Sequence, residues 1–173
     1  MENIGLDLFS FIKHDLNINE KNITLHKIEY NNRRLILKLP KLVCEKGLIK
    51  NKKINTINLD GLPFDYFDGF INICENNNFK PIRSIINQKC VLIISILDNP
   101  KIQTKFHDIS GEKINKEELV DCRFECLPTI LFDNIQWLEN RKQYIATFRL
   151  INCCIVSIGE LHGKLTKNAN KRK

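Results

Sequence analysis

The residue types best equipped for chemistry in this chain are seven cysteines and four histidines. A structural zinc site needs four such ligands, commonly as two closely spaced pairs. Cys122 with Cys126 and the adjacent Cys153 and Cys154 come nearest that pattern, with His162 as a spare ligand. On a strand, however, Cys122 and Cys126 share a face with Val120 and Phe124, which makes them small core hydrophobes. Cys153 and Cys154 point to opposite faces of their own strand. His14, His26, His107 and His162 are scattered, no glycine-rich loop follows a strand, and no serine sits on a G-x-S-x-G elbow. The acid pairs Asp65/Asp68 and Glu117/Glu118 read as solvated side chains. The expectation is a chain with no catalytic residue, metal or cofactor, and so not an enzyme.

What remains is positive charge, and its placement matters more than its total of +7. From Arg33 to Lys53 there are eight basic residues (Arg33, Arg34, Lys38, Lys41, Lys46, Lys50, Lys52 and Lys53) against the single acid Glu45. The C-terminal stretch adds Lys164, Lys167, Lys171, Arg172 and Lys173 and no acid after Glu160. Two basic zones on a nearly neutral body point to a polyanionic partner, nucleic acid before membrane surface. Binding single strands without sequence readout needs a cationic groove and a few aromatic faces for stacking. The candidates are Arg34, Lys38, Lys41, Lys50, Lys52, Lys53, Trp137, Arg141, Lys142 and Arg149, with the five basic tail residues as further phosphate contacts. Tyr30, Phe106 and Tyr144 are additional aromatics, Tyr144 with a stronger claim to the core.

The elements that must position these groups read mainly as strands. Ile135 to Val156 is a hairpin: a short segment ending in Trp137, a charged turn from Glu139 to Lys142, and a long strand in which Tyr144, Ala146, Phe148 and Leu150 share one face. Arg149 falls on the other face. Asn22–Ile28 and Arg33–Leu39 read as strands about a turn at Asn31-Asn32, with Leu35, Leu37 and Leu39 on one face and Arg34, Ile36 and Lys38 on the other. Pro40 ends that ladder. Cys44–Lys53 reads as a basic loop, Ile54–Leu59 as a strand and Phe64–Asn76 as a helix with Phe64, Phe67, Phe70, Ile71 and Cys74 on its apolar stripe. Cys90–Leu97 reads as a strand covered on both faces. Lys101–His107 is a strand candidate, Asn115–Leu119 one helical turn, and Leu119–Pro128 an alternating strand. Residues 1–20 fit either a short helix through Leu6, Phe9, Ile12 and Leu16 or an extended lead-in.

These elements predict a mainly β chain with one internal helix, folded as an OB-like, mostly antiparallel barrel or sandwich. Residues 1–160 form the single domain and 161–173 a flexible basic tail. An OB barrel characteristically carries its helix between the third and fourth strands. No run of apolar residues approaches the roughly 18 needed for a membrane helix, so no membrane partner is expected. The absence of an export signal and the odd cysteine count predict reduced thiols and no secretion.

Two blocks of sequence carry a resemblance. YNNRRLILKLPKLVCEKGLIK (residues 30–50) and FDNIQWLENRKQYIATFRLINCCIV (residues 132–156), with the acidic-aromatic spacer Pro63–Asn78 between them, resemble a family of nucleocytoplasmic large DNA virus proteins. That family is similar to the phage T7-type single-stranded DNA-binding proteins, which are OB folds. The resemblance carries over to Pro40, Lys41, Gly47, Trp137, Tyr144 and Phe148, mostly as markers of the fold. It implies a protein that coats single-stranded DNA during replication, repair or recombination, in host cytoplasm or nucleus, with viral replication proteins as further partners; a homodimer is a separate expectation, and a symmetric one would favour a scaffold role. T7-type proteins end in an acidic tail that recruits partners; this chain ends in KLTKNANKRK, of opposite sign, which puts that route in doubt. Two other functions fit the same composition: a virion or scaffold protein with a genome-contacting tail, and an interaction subunit of a transcription complex.

Overall fold

One long hairpin supports everything else. Its strands are β11 (Phe124–Leu138) and β12 (Gln143–Ile158), paired antiparallel along almost their whole length. Every second residue of β11 is buried from Phe124 through Ile130, and Phe148, Leu150, Cys153 and Ile155 answer from β12. Period-2 alternation in the sequence thus becomes one dry and one wet face. The four-residue turn closes with Lys142 at positive φ. The computed structural model describes residues 9–18, 21–48, 56–80, 82–99 and 102–159.

The rest of the chain lines the two edges of this hairpin. Along the free edge of β11 run, in succession, β2 (Lys21–Tyr30), β4 (Ile36–Lys38) and β5 (Leu42–Cys44). β1 (Phe9–Ile18) pairs outside β2, and the two-residue β3 (Arg33–Arg34) returns on β2 through Asn31 and Asn32, both at positive φ as the sequence implies. Of the open reading of residues 1–20, β1 settles Phe9–Ile18 in favour of the extended form, the remainder lying outside the described residues. Pro128 lies inside β11 rather than ending a strand. Its carbonyl accepts from Leu39 N–H at 2.9 Å. Its missing donor therefore faces the point where β4 gives way to β5, and no ladder bond is lost there.

From β5 the sheet continues antiparallel to β6 (Thr56–Asp60) and β7 (Val91–Ile96), and β7 meets β12 in parallel at Ser95–Arg149 and Ile96–Leu150. The circuit β5–β6–β7–β12–β11–β5 closes on itself. This is a mainly β barrel with the strand order of an OB fold: a three-stranded meander, a parallel third–fifth pairing and a fourth–fifth hairpin. β10 (Lys105–Asp108) extends the sheet, parallel to β12, and the short β8 (Asp98–Asn99) and β9 (Ile102–Gln103) pair with each other. Pairing among the described strands is otherwise antiparallel. The helix α1 (Asp68–Asn76) departs from the expected order, falling between the second and third barrel strands.

That helix closes the inner face of the hairpin beyond the barrel. Phe67 and Phe70 on its leading edge stack on Phe132 at 5.9 and 4.2 Å, and Phe67 reaches Phe148 at 5.6 Å. Asp68 suits the positive end of the helix dipole. At the other end Asn78 takes positive φ, Phe79 N–H donates to Cys74 O at 3.1 Å and Asn77 Nδ2 donates to Ile73 O at 2.9 Å, satisfying the last carbonyls. The helix starts after Phe64, so Phe64 leaves the apolar stripe and is 48 % exposed. Ile93 in the middle of β7 is 50 % exposed, so that strand is covered on one face and not two.

Candidate nucleic-acid interface

The pairing register fixes which basic residues share a surface. Residues directly opposite across a ladder point to the same side of the sheet. Lys38 faces Thr129, Thr129 faces Asn152, and Asn152 faces Lys105, giving a polar row across β4, β11, β12 and β10 on the outer face of the barrel. The next row runs Ile36, Leu131, Arg149, Ser95 and Thr56. Arg34 and Lys38 flank the exposed Ile36 on one side of the chain, with Leu35, Leu37 and Leu39 turned inward. Arg34, Lys38 and Arg149 therefore share the outer face. Lys105 joins them, and no pattern in the sequence singled it out.

Acids divide this surface. A register shift between Phe132 and Asn134 makes Asp133 the extra residue of a bulge, and its carboxylate is turned onto Arg149: Nε donates to Oδ2 at 2.7 Å and Nη2 lies 2.5 Å from the same oxygen. Lys41 pairs with Glu125 at 3.2 Å. That ammonium, helped by the Ser157 hydroxyl, holds the Glu125 carboxyl below its ordinary value. Arg34 lies opposite Glu29 across β2–β3 without an ion pair. Lys38 and Lys105 likewise have no ion pair to any described residue, so these three cations of the outer face are free to meet a phosphate.

At the hairpin tip Trp137 pairs with Tyr144 and belongs to the inner face. Its ring lies edge-on to Tyr144 at 4.9 Å, and Tyr144 in turn lies edge-on to Phe79 at 5.3 Å. Trp137 Nε1 donates to Glu139 Oε2 at 2.6 Å, and Lys142 Nζ bonds the other oxygen of the same carboxylate. These two donors, Lys142 first, hold Glu139 below its ordinary value. Trp137 and Arg149 thus lie on opposite faces of the hairpin. Phe106 is 4 % exposed and belongs to the core, and Tyr30 packs on Phe9 at 5.1 Å. Arg141 stands exposed at the turn and makes no ion pair to a described residue.

Among the described residues the one aromatic ring more than a third exposed is Phe64. It lines a shallow cleft of about 440 Å³ with Arg83, Ser84, Ile86, Gln88 and Lys89. Arg83 and Lys89 are exposed and pair with no described acid. Ile82 bridges to Tyr144, and Arg83 N–H donates to Tyr144 O at 2.9 Å. The cleft therefore borders the first residues of β12, just past Arg141 and Lys142. Sequence reasoning placed Phe64 on the helix by extending its periodicity one turn too far, although Pro63 marks a turn at that point. Arg83 and Lys89 lie in a segment with no periodicity to read. A second cleft, about 770 Å³, opens beside Lys105 and has Thr104, His107, Lys113 and Asn115 on its walls.

Lys50, Lys52 and Lys53 and the tail residues Lys164, Lys167, Lys171, Arg172 and Lys173 lie outside the described residues. Among the described residues no group of three or more His, Cys, Asp or Glu side chains is arranged to hold a metal ion. No helix among them is long and apolar enough to cross a membrane. The architecture defines a mainly β barrel protein with its helix between the second and third barrel strands. Neither the known protein-family models nor the curated proteins contain a match to this chain.

Proposed function

We propose that this protein binds single-stranded DNA with little sequence preference, as a coating protein of DNA replication, repair or recombination in a DNA virus. The observation that carries the reading is the Phe64 cleft. It sets a half-exposed ring beside two cations that pair with no described acid, Arg83 and Lys89, and next to the Arg141–Lys142 turn. A ring that can stack on any base, ringed by charges that meet phosphates, is the minimal machinery of sequence-tolerant single-strand binding. The loops joining the first and second and the fourth and fifth strands frame the ligand face in OB barrels. Here the first connection carries Lys46, Lys50, Lys52 and Lys53, and the second carries Arg141 and Lys142. Arg34, Lys38 and Lys105 extend positive charge over the outer face.

Titration of a fluorescent oligothymidine at two salt concentrations tests the reading. Binding is expected at micromolar concentration or tighter and weakens steeply with salt as counterions are released. Phe64→Ala weakens binding by about 1–3 kcal/mol with an unchanged salt slope, whereas Arg83→Ala lowers that slope by about 1. Equal affinity for duplex overturns single-strand selectivity and makes the protein a general polyanion binder. No binding at low salt overturns the proposal altogether. A structural, self-associating role is favoured by a separate feature, the apolar side chains Ile12, Leu16, Ile36 and Ile93 left exposed on the sheet.

A further inference from the structure

β1 is the last strand on its side of the sheet, and among the described residues its outer edge has no partner strand. It pairs with β2 over ten consecutive positions without a bulge. An unbroken edge of this length presents a row of backbone donors and acceptors to any strand that approaches. Natural proteins usually blunt such an edge with lysines, prolines or bulges. This edge has one lysine and one aspartate instead, and they are placed symmetrically.

The sequence around the middle of β1 is Ile12-Lys13-His14-Asp15-Leu16. Lys13 and Asp15 share one face, with side chains 61 % and 64 % exposed. Ile12 and Leu16 share the other, 41 % and 40 % exposed. Lys13 and Asp15 reach each other at 3.1 Å along the strand, and Thr24 Oγ1 donates to Asp15 at 2.6 Å. An identical strand laid antiparallel on this edge about a two-fold axis through His14 brings Lys13 opposite Asp15 of the second copy, and Asp15 opposite its Lys13. The same register sets Ile12 against the other copy's Leu16 twice over. One face of the new ladder is then complementary by charge, and the other sets two Ile12–Leu16 contacts on either side of a His14–His14 pair. A register moved by two residues along the strand sets Lys13 against Lys13 or Asp15 against Asp15, so the charges also select the alignment.

We propose that β1 is the self-association edge of this protein, joining two copies antiparallel about His14 into a sheet continuous across both. The partner is a second copy because the pattern is complementary to itself in one register. This inference is independent of nucleic-acid binding.

The full chain is examined by sedimentation equilibrium across micromolar concentrations, where a two-fold dimer mass is expected. Lys13→Glu and Asp15→Lys each place two like-charged contacts in the interface and raise the dimer dissociation constant at least about tenfold. Mixing these two variants restores a dimer, because the new acid at position 13 of one chain meets the new lysine at position 15 of the other. Neither chain regains its own intrastrand pair on mixing, so recovery reports the contact between copies. The double variant Lys13→Glu/Asp15→Lys keeps an intrastrand pair and also dimerises, which covers the case in which a single variant fails to fold. A wild-type chain that stays monomeric, single variants that remain dimeric, or a mixture and a double variant that stay monomeric each overturn the proposal.

Discussion

Six of the seven thiols differ in environment from the seventh, and chemistry should follow. Cys44, Cys74, Cys122, Cys126 and Cys153 are buried, Cys154 is half-buried and Cys90 is exposed at a turn. Burial pushes the Cys44 and Cys74 thiols up to about 12, and contact with Cys126, then burial, pushes Cys153 up as well. A thiol reacts through its thiolate, so these groups are inert at neutral pH while the fold lasts. A disulfide-exchange reagent is expected to modify Cys90 at once, Cys154 more slowly and the buried five only in denaturant; mass mapping of labelled peptides checks this. His26 gives a second residue-scale prediction. Its ring packs edge-on to Phe79 at 4.8 Å, and its Nδ1 is shielded with no hydrogen-bond partner among the described residues. Desolvation, then the charge of Lys13, lowers its pKa below 6.5, with Asp15 acting the other way. The folded form therefore holds its proton less tightly than the unfolded chain. Its contribution is intact above pH 6.5 and is lost as pH falls from there through the lowered folded value. Melting temperatures of wild type and His26→Phe between neutral and mildly acid pH should diverge, with the wild type losing more.

At the scale of elements, Gly47 shows how a sequence marker acquires a physical cause. It follows β5 at φ +68, and a Cβ there would meet Cys122 N at 2.4 Å and Leu119 O at 2.6 Å. Leu48 N–H donates to Leu119 O at 2.8 Å in the same crossing. Gly47→Ala combines left-handed strain with a backbone clash and should destabilise by about 2–4 kcal/mol, read as a lower denaturation midpoint. The alternation of Arg34 to Leu39, the pair Asn31-Asn32 and the Glu139–Lys142 turn were legible because each is local: side-chain parity and turn chemistry need only neighbouring residues. The N-terminal strand was ambiguous for an equally physical reason. Phe9 and Phe11 pack inward while Ile12 and Leu16 face outward, so apolar residues on both faces blur period 2 into a helix-like spacing. The extent of the Phe64 helix failed at its first turn, where Pro63 to Tyr66 form a separate turn closed by Tyr66 N–H donating to Pro63 O. Trp137 needed knowledge of register, since the bulge at Asp133 shifts parity along β11 just before it, while the two other bulges fall on β12 at Ile151 and Val156.

For the whole molecule, closure depends on pairings no local pattern reveals. Leu42 meets Cys126, Val43 meets Glu125, and Ser95 meets Arg149, each joining segments far apart in the chain. The mainly β class was legible from strand count, but the ring order, and with it the sharing of one face by Lys38 and Lys105, was not. The seams are also unequal. β11 and β12 share a ladder along almost their whole length, while β5–β6 is held at Val43–Asp60 and β7–β12 at two positions. The hairpin centre carries Phe132 and Phe148 in contact at 4.2 Å beneath α1. It should therefore be the last part to open, and amides there should exchange only through global unfolding. β10 depends on a four-residue parallel ladder with β12, and β1 on one ladder with β2. Native-state hydrogen exchange is expected to rank protection as the β11–β12 centre first, the barrel meander next, and β10 and β1 least. Dilution separates the two causes of protection at β1: if the edge is covered by a second copy, its amides gain protection as concentration rises while those of β10 do not. Equal protection across all strands at every concentration would show a fold that opens only as a unit, and the hierarchy argued from its seams would then be wrong.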